Sequence, residues 1–202
     1  MPSSHQGERI VLASNNPGKV REIEQLLSTQ RITVLPQSKF GVSSIEENGL
    51  TFVENAILKA RHAAQCSGLP AIADDSGIEV DALGGAPGIY SARFAGPQCN
   101  DQDNNQKLLD ALATIADTDR TARFQCLMVY MRNAADPTPI ICQGTWEGQI
   151  LTTPRGTNGF GYDPLFWVPE FCCSSAELDP ETKNRLSHRG RALRQLLAAL
   201  SH

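Results

Sequence analysis

The 202-residue chain is predicted to be an α/β protein, because strand-like and helix-like segments alternate along it without a repeat, linker or low-complexity stretch. Hairpin-like pairs of apolar runs are interspersed among them, so a mixed rather than purely parallel sheet is expected. With 41% hydrophobic and 20% charged residues, the composition is that of a globular protein able to bury a substantial core.

Each element has a local reason. Residues 9–13 are a short apolar strand that ends in the polar turn at 14–18, and from Lys19 the positions Val20, Ile23, Leu26 and Leu27 fall at helical spacing. Residues 32–35 read as a second strand, followed by turn-rich chain to Gly49. Thr51 and Glu54 are spaced as a capping box, which starts a helix expected to run to about Cys66 and to close at Gly68 and Pro70. Residues 71–73 form a buried strand ending at Asp74, Asp75, Ser76 and Gly77. Residues 78–81 alternate like a small hairpin arm, and glycine-rich residues 84–88 are loop. A helix is expected over 101–115 through Leu108, Leu109, Leu112 and Ile115. Residues 124–131 are a strongly apolar strand, and 140–150 supply one or two more. Leu193, Leu196, Leu197 and Leu200 make one face of a final helix.

Charge and cysteines narrow the function classes. Eighteen Lys and Arg against 22 Asp and Glu give a net charge of -4, which argues against a broad nucleic-acid-binding surface. No apolar run reaches the roughly 18 residues of a membrane-spanning helix. The polar residues 1–9 lack the apolar centre of a secretion signal, so a cytoplasmic address is expected. None of the six cysteines forms a C-x-x-C pair, and adjacent Cys172 and Cys173 are poorly placed to bridge each other or share a metal. Reduced, structural thiols are expected, with Cys126 and Cys142 inside apolar strands.

Four segments could carry chemistry. Ser14, Asn15, Asn16, Pro17, Gly18 and Lys19 join the first strand to the first helix, where backbone N–H groups, the helix dipole and a lysine suit phosphate. Taken alone, the plainer reading is a polar turn. Asp74 and Asp75 end a strand, so one should face a cleft while the other holds the turn; with Glu46 and Glu47 nearby they could seat Mg²⁺. The plainer reading is an Asx turn. Phe160, between Gly159 and Gly161 and followed by Tyr162, Asp163 and Pro164, could stack on a base, although a glycine-rich turn over buried aromatics reads as well. Ser187, His188, Arg189 and Gly190, with Lys183 upstream, offer donors for carbonyl or phosphate oxygen, or merely decorate a helix. Together the four are the parts of a metal-assisted nucleotide site.

At this point the residues resemble the inosine/xanthosine triphosphate pyrophosphatases of the Ham1 type. The resemblance rests on SxNxxK at 14–19, TFVENAILKARHAA at 51–64, AIADDSGIEVDALGGAPGIYSAR at 71–93, GFGYDPLF at 159–166 and SHRG at 187–190. It implies one elongated domain over 1–202, with two lobes around a substrate cleft, acting as a homodimer. It also implies Mg²⁺-dependent hydrolysis of ITP, dITP, XTP and dXTP to the monophosphate and pyrophosphate. Carried over by position, Ser14 to Lys19 and Lys59 bind the phosphates and Ser76 touches substrate. Asp75 is the proton acceptor and a metal contact, and Glu46 is the second metal contact, with Glu47 and Asp74 in support. Phe160, Gly161, Tyr162, Asp163, Lys183, His188 and Arg189 make the base pocket. Extra residues before Arg9 and the stretch 172–184 depart from the family pattern. Two other functions fit the motifs less closely: a pyrophosphatase for pyrimidine or modified-base nucleotides, and a nucleotide-binding module without catalysis.

Overall fold

A computed structural model describes residues 8–27 and 32–201. Most of the polar N-terminal stretch, residues 1–7, lies outside the described residues. The strands are β1 (Glu8–Leu12), β2 (Ile32–Pro36), β3 (Ala71–Val80), β4 (Thr121–Met131), β5 (Ile140–Ile150), β6 (Phe166–Val168) and β7 (Cys173–Ser174). The helices are α1 (Pro17–Leu27), α2 (Phe52–Ser67), α3 (Asp101–Ala111), α4 (Pro180–Leu186) and α5 (His188–Leu200). The strands form one open sheet in the order β2-β1-β3-β4-β5-β6-β7. β1 is parallel to β2 and β3, whereas β6 is antiparallel to β5 and β7, so the sheet is mixed as the patterning predicts.

The chain divides into two compact units. The first comprises Met1–Asp75, Leu127–Cys142 and Leu193–His202. Its core sets Ala56, Ala60, Ala63 and Ala64 of α2 against Val11, Ala71, Ala73 and Val129. Small side chains let the helix lie close to the strands, where every methyl counts in dense packing. Thr51 Oγ1 accepts the Glu54 N–H at 3.3 Å, and the Glu54 carboxylate reaches back to the Leu50 N–H at 2.9 Å. The helix ends at Gly68, whose φ of 68° is the left-handed conformation that glycine adopts without strain.

The second unit comprises Ser76–Cys126 and Gln143–Ala192. Its core is aromatic: Phe166 lies 4.5 Å from Phe124 and 5.1 Å from Trp146 between ring centroids, with Leu108, Leu112 and Leu165 around them. The β4 and β5 cysteines, Cys126 and Cys142, are buried, and all six cysteines are free thiols. Among the described residues no helix is long and apolar enough to cross a membrane.

Three expectations need correction. β3 does not stop at Asp74 but runs on to Val80, ten residues in all, taking in the expected hairpin arm. The two aspartates pair with lysines rather than with turn N–H groups, and the chain stays extended. α3 ends at Ala111 instead of residue 115, because the chain turns at Leu112. Residues 140–150 form a single strand. β6, β7 and α4, at 3, 2 and 7 residues, are too short to show a periodicity and escaped the sequence reading.

Candidate functional site

The first unit gathers its charges around the junction of β1 with α1 and the middle of β3. Asn16 caps α1, its Oδ1 accepting the N–H groups of Gly18 at 2.9 Å and Lys19 at 3.1 Å. Pro17 opens the helix, where a missing N–H does no harm. Asn15 and Asn16 are exposed and Ser14 is half-buried. Asn15 is held between Gln37, which donates to it at 2.6 Å, and Ser44, which accepts from it at 2.9 Å. Lys19 Nζ lies 3.1 Å from Asp74 Oδ2. Asp74 is therefore not a turn-forming residue but the buried counter-ion of Lys19.

Its neighbour points to the other lysine. Asp75 Oδ1 accepts from Lys59 Nζ at 2.8 Å, and the same ammonium stands 3.0 Å from Glu47 Oε1. Burial pushes the Asp75 carboxyl above the usual carboxylate range and Glu47 adds to this, outweighing Lys59 and Lys19. Burial opposes the charge on Lys59, but Asp75, Asp74 and Glu47 overcome it and hold the ammonium protonated beyond the usual lysine range. A cavity of about 130 Å³ is lined by Ser14, Asn15, Lys19, Glu47, Lys59 and Asp74 among others, and Asp75 stands behind Lys59 rather than in its wall.

Glu46, the expected second metal contact, is exposed and does not line this cavity. Exposure alternates along residues 44–50, so in this extended stretch Glu47 turns inward and Glu46 outward. Among the described residues, no three His, Cys, Asp or Glu side chains converge as metal ligands. What the cluster offers is hard oxygen from one or two carboxylates, Asp75 and Glu47. That donor set fits Mg²⁺ completing its shell with phosphate and water.

The second unit builds a different cluster. Gly159 and Gly161 have φ of 79° and 61°, and a Cβ on Gly159 would strike the Asp163 carboxylate. Asp163 Oδ2 accepts the Phe160 N–H at 2.8 Å and Lys183 Nζ at 2.6 Å, while Oδ1 accepts the Ser175 hydroxyl at 2.9 Å. Asp163 thus organises the loop from inside. Tyr162 is also interior: it belongs to the core, donates to the Ser91 carbonyl at 2.8 Å, and burial pushes its phenol up. The half-buried Phe160 ring has Lys183 Nζ at 5.0 Å and the Arg189 guanidinium at 5.7 Å from its centroid. Arg189 also donates to Ser76 Oγ at 2.9 Å. His188 stacks on Phe124 with centroids 4.7 Å apart and planes 13° from parallel.

Residues 10–199 match the sequence profile of the Ham1 family. The chain belongs to the Ham1 family. Similar relatives are the dITP/XTP pyrophosphatases of Vibrio parahaemolyticus, 61% identical over 96% of this chain and 97% of that protein, and of Thioalkalivibrio sulfidiphilus, 62% identical over 95% and 98%. A Ham1 protein from Coxiella burnetii superposes with a TM-score of 0.89 at 53% identity, covering 96% of this chain and 98% of the other. The Staphylococcus aureus Ham1 protein gives 0.84 at 42% identity over 96% and 98%.

For this Ham1 chain the structure ties further polar residues to the two clusters, of which Asn55 and Ser91 lie inside the stretches 51–64 and 71–93. Asn55 and Gln37 are buried polar side chains tied to the first cluster, and Ser91 and Ser175 to the second. Asn55 had a readable signal, since it stands one turn before Lys59 on the alanine face of α2. The others had none, because their partners are distant in the chain.

Proposed function

We propose that this protein hydrolyses the bond between the first and second phosphates of ITP, dITP, XTP and dXTP, releasing the monophosphate and pyrophosphate and so clearing deaminated purines from the nucleotide pool. The observation that carries this reading is the buried Asp75 carboxylate, paired with Lys59 and sharing that lysine with Glu47, where Lys59 and Glu47 line a cavity of about 130 Å³. The names of its relatives, dITP/XTP pyrophosphatases, support the same substrate class.

The phosphate end of the nucleotide is assigned to the first cluster. The capped start of α1 offers N–H groups and the positive end of its dipole, and Lys19 and Lys59 supply full charges. Mg²⁺ is the metal this donor set suits, and when bound it offsets charge on the phosphate oxygens and on the departing pyrophosphate. Asp75 orients the attacking water and takes its proton, aided by a raised pKa that makes it a better base than an ordinary aspartate. Asp75 is proposed to face the metal, with Glu46 as the second contact and Glu47, which pairs with Lys59, in support.

The purine is assigned to the second cluster. Phe160 supplies a stacking face, and His188 and Arg189 supply donors for a keto oxygen at C6. Adenine presents an amino group there, and donor facing donor leaves buried groups unpaired, at about 1–3 kcal/mol each. GTP shares the keto group, so its rejection must arise at the 2-amino position. We further assign a homodimeric, cytoplasmic enzyme acting as one functional domain on a small-molecule substrate, without nucleic-acid or membrane partners.

Product identification tests the core of this. With ITP and Mg²⁺ the expected products are IMP and pyrophosphate, with little turnover when Mg²⁺ is chelated. Orthophosphate release would instead mark a γ-phosphatase. Equal kcat/KM for ITP, XTP and ATP would remove the donor argument.

A further inference from the structure

We infer that Asn55 is a positioning residue that sets the Asp75 carboxylate and the Glu47-bearing segment in register. The inference rests on the function proposed above, which gives Asn55 no role. Its side chain is fully buried on α2. Oδ1 accepts the Gly49 N–H at 2.9 Å, and Nδ2 lies 3.4 Å from Asp75 Oδ2. One turn further along the helix, Lys59 takes the other oxygen, Oδ1, at 2.8 Å. The carboxylate is therefore gripped at both oxygens by two residues of one helix. The contact from Asn55 is long, so it directs the carboxylate more than it binds it.

The amide is the right group for this position. Gly49 N–H can only donate and an ionised carboxylate can only accept, so the two ends of the amide cannot be exchanged. Residues 43–50 have no helix or strand of their own, so side chains must fix them in place. Asn15 holds Ser44 at 2.9 Å, His62 meets the Ser43 carbonyl at 3.0 Å, Lys59 reaches Glu47 at 3.0 Å, Glu54 accepts the Leu50 N–H at 2.9 Å, and Asn55 holds Gly49. Of these five tethers, only the last comes from a fully buried side chain. Gly49 has no room for anything larger: a Cβ there would stand 2.7 Å from Asn55 Oδ1 and 2.7 Å from Glu54 Cβ.

Two variants separate the halves of the amide. Asn55→Asp keeps the acceptor for Gly49 but loses the donor and sets a second carboxylate against Asp75. Asn55→Leu loses both. The measurements are kcat and KM for ITP with Mg²⁺, and hydrogen exchange at the Gly49 amide by NMR without substrate. In Asn55→Asp, kcat is expected to fall roughly 10- to 100-fold with KM within about twofold, while Gly49 stays protected. In Asn55→Leu, exchange at Gly49 is expected to accelerate by roughly tenfold or more as well. A folded Asn55→Asp variant with wild-type kcat, or a loss confined to KM, overturns the inference. Should Asn55→Leu not fold, Gly49→Ala drives a methyl into the same contact and is read in the same way. A wild-type protein that releases no pyrophosphate from ITP sinks the proposed function instead. The exchange contrast then still decides whether Asn55 holds the segment.

Discussion

The two clusters use their carboxylates in opposite ways. In the second unit Asp163 turns inward, with Lys183, Ser175 and the Phe160 N–H all converging on it. Its work is internal, and what the loop presents outward is an aromatic ring with cations near it. In the first unit Asp75 and Glu47 meet at one lysine beside a cavity, and the acidic charge exceeds what Lys59 alone neutralises. A carboxylate of the first kind is a fastening, and one of the second kind suits the ligand-facing role proposed for it. Under that proposal the same residue type serves stability in one unit and chemistry in the other, and its partners decide which.

Substitutions can break that contrast. The largest effect is expected from Asp75→Asn, which keeps the shape and removes the base. Turnover of ITP should fall about 10²–10⁴-fold, read as pyrophosphate release. Stability near neutral pH should change little, because the buried carboxylate's desolvation is relieved while buried Lys59 loses one partner and keeps Glu47. With its folded pKa raised, Asp75 contributes stability that is present at low pH and lost as pH rises through that pKa, and the amide does not undergo that loss. For the same reason the Asp75 carboxyl of the metal-free protein should titrate above the ordinary aspartate range, read by carboxyl ¹³C NMR. Asp163→Ala should do the reverse: it strands a buried Lys183 and should cost about 3 kcal/mol in denaturant unfolding. If Asp163→Ala unfolds like wild type, its role as a fastening is wrong. The smallest effect belongs to Phe160→Ala, expected to weaken ITP binding by about 1–3 kcal/mol through KM, with kcat less affected.

Much of this was legible in the residues. The alternation of strands and helices and the Thr51 cap follow from local chemistry, and the long elements appear where their apolar spacing puts them. The short pieces from Phe166 to Leu186 carry too few residues for a period to show, and tertiary hydrogen bonds hold that region instead, from Ser175 and Lys183 to Asp163 and from Arg155 to Glu177. In the first cluster Lys19 stands in a readable motif, whereas Lys59 and the choice of Asp75 over Asp74 rest on the family resemblance. Which of Glu46 and Glu47 turns inward could not be read, since adjacent glutamates differ only in which way the chain turns them. Asp74 looked like a turn residue because its lysine partner stands 55 positions earlier, beyond the reach of any local rule.

The alanine face of α2 has a practical consequence for anyone redesigning this protein. Ala56, Ala60 and Ala63 leave almost no spacer between helix and strand, so the backbone itself gauges how high Lys59 stands. Adding a methyl or two at Ala60 would lift the whole rod by a fraction of an ångström and shift the lysine with it, besides straining the packing by about 1–3 kcal/mol. New substrate preferences are better sought by varying side chains near Phe160, with that rod left untouched.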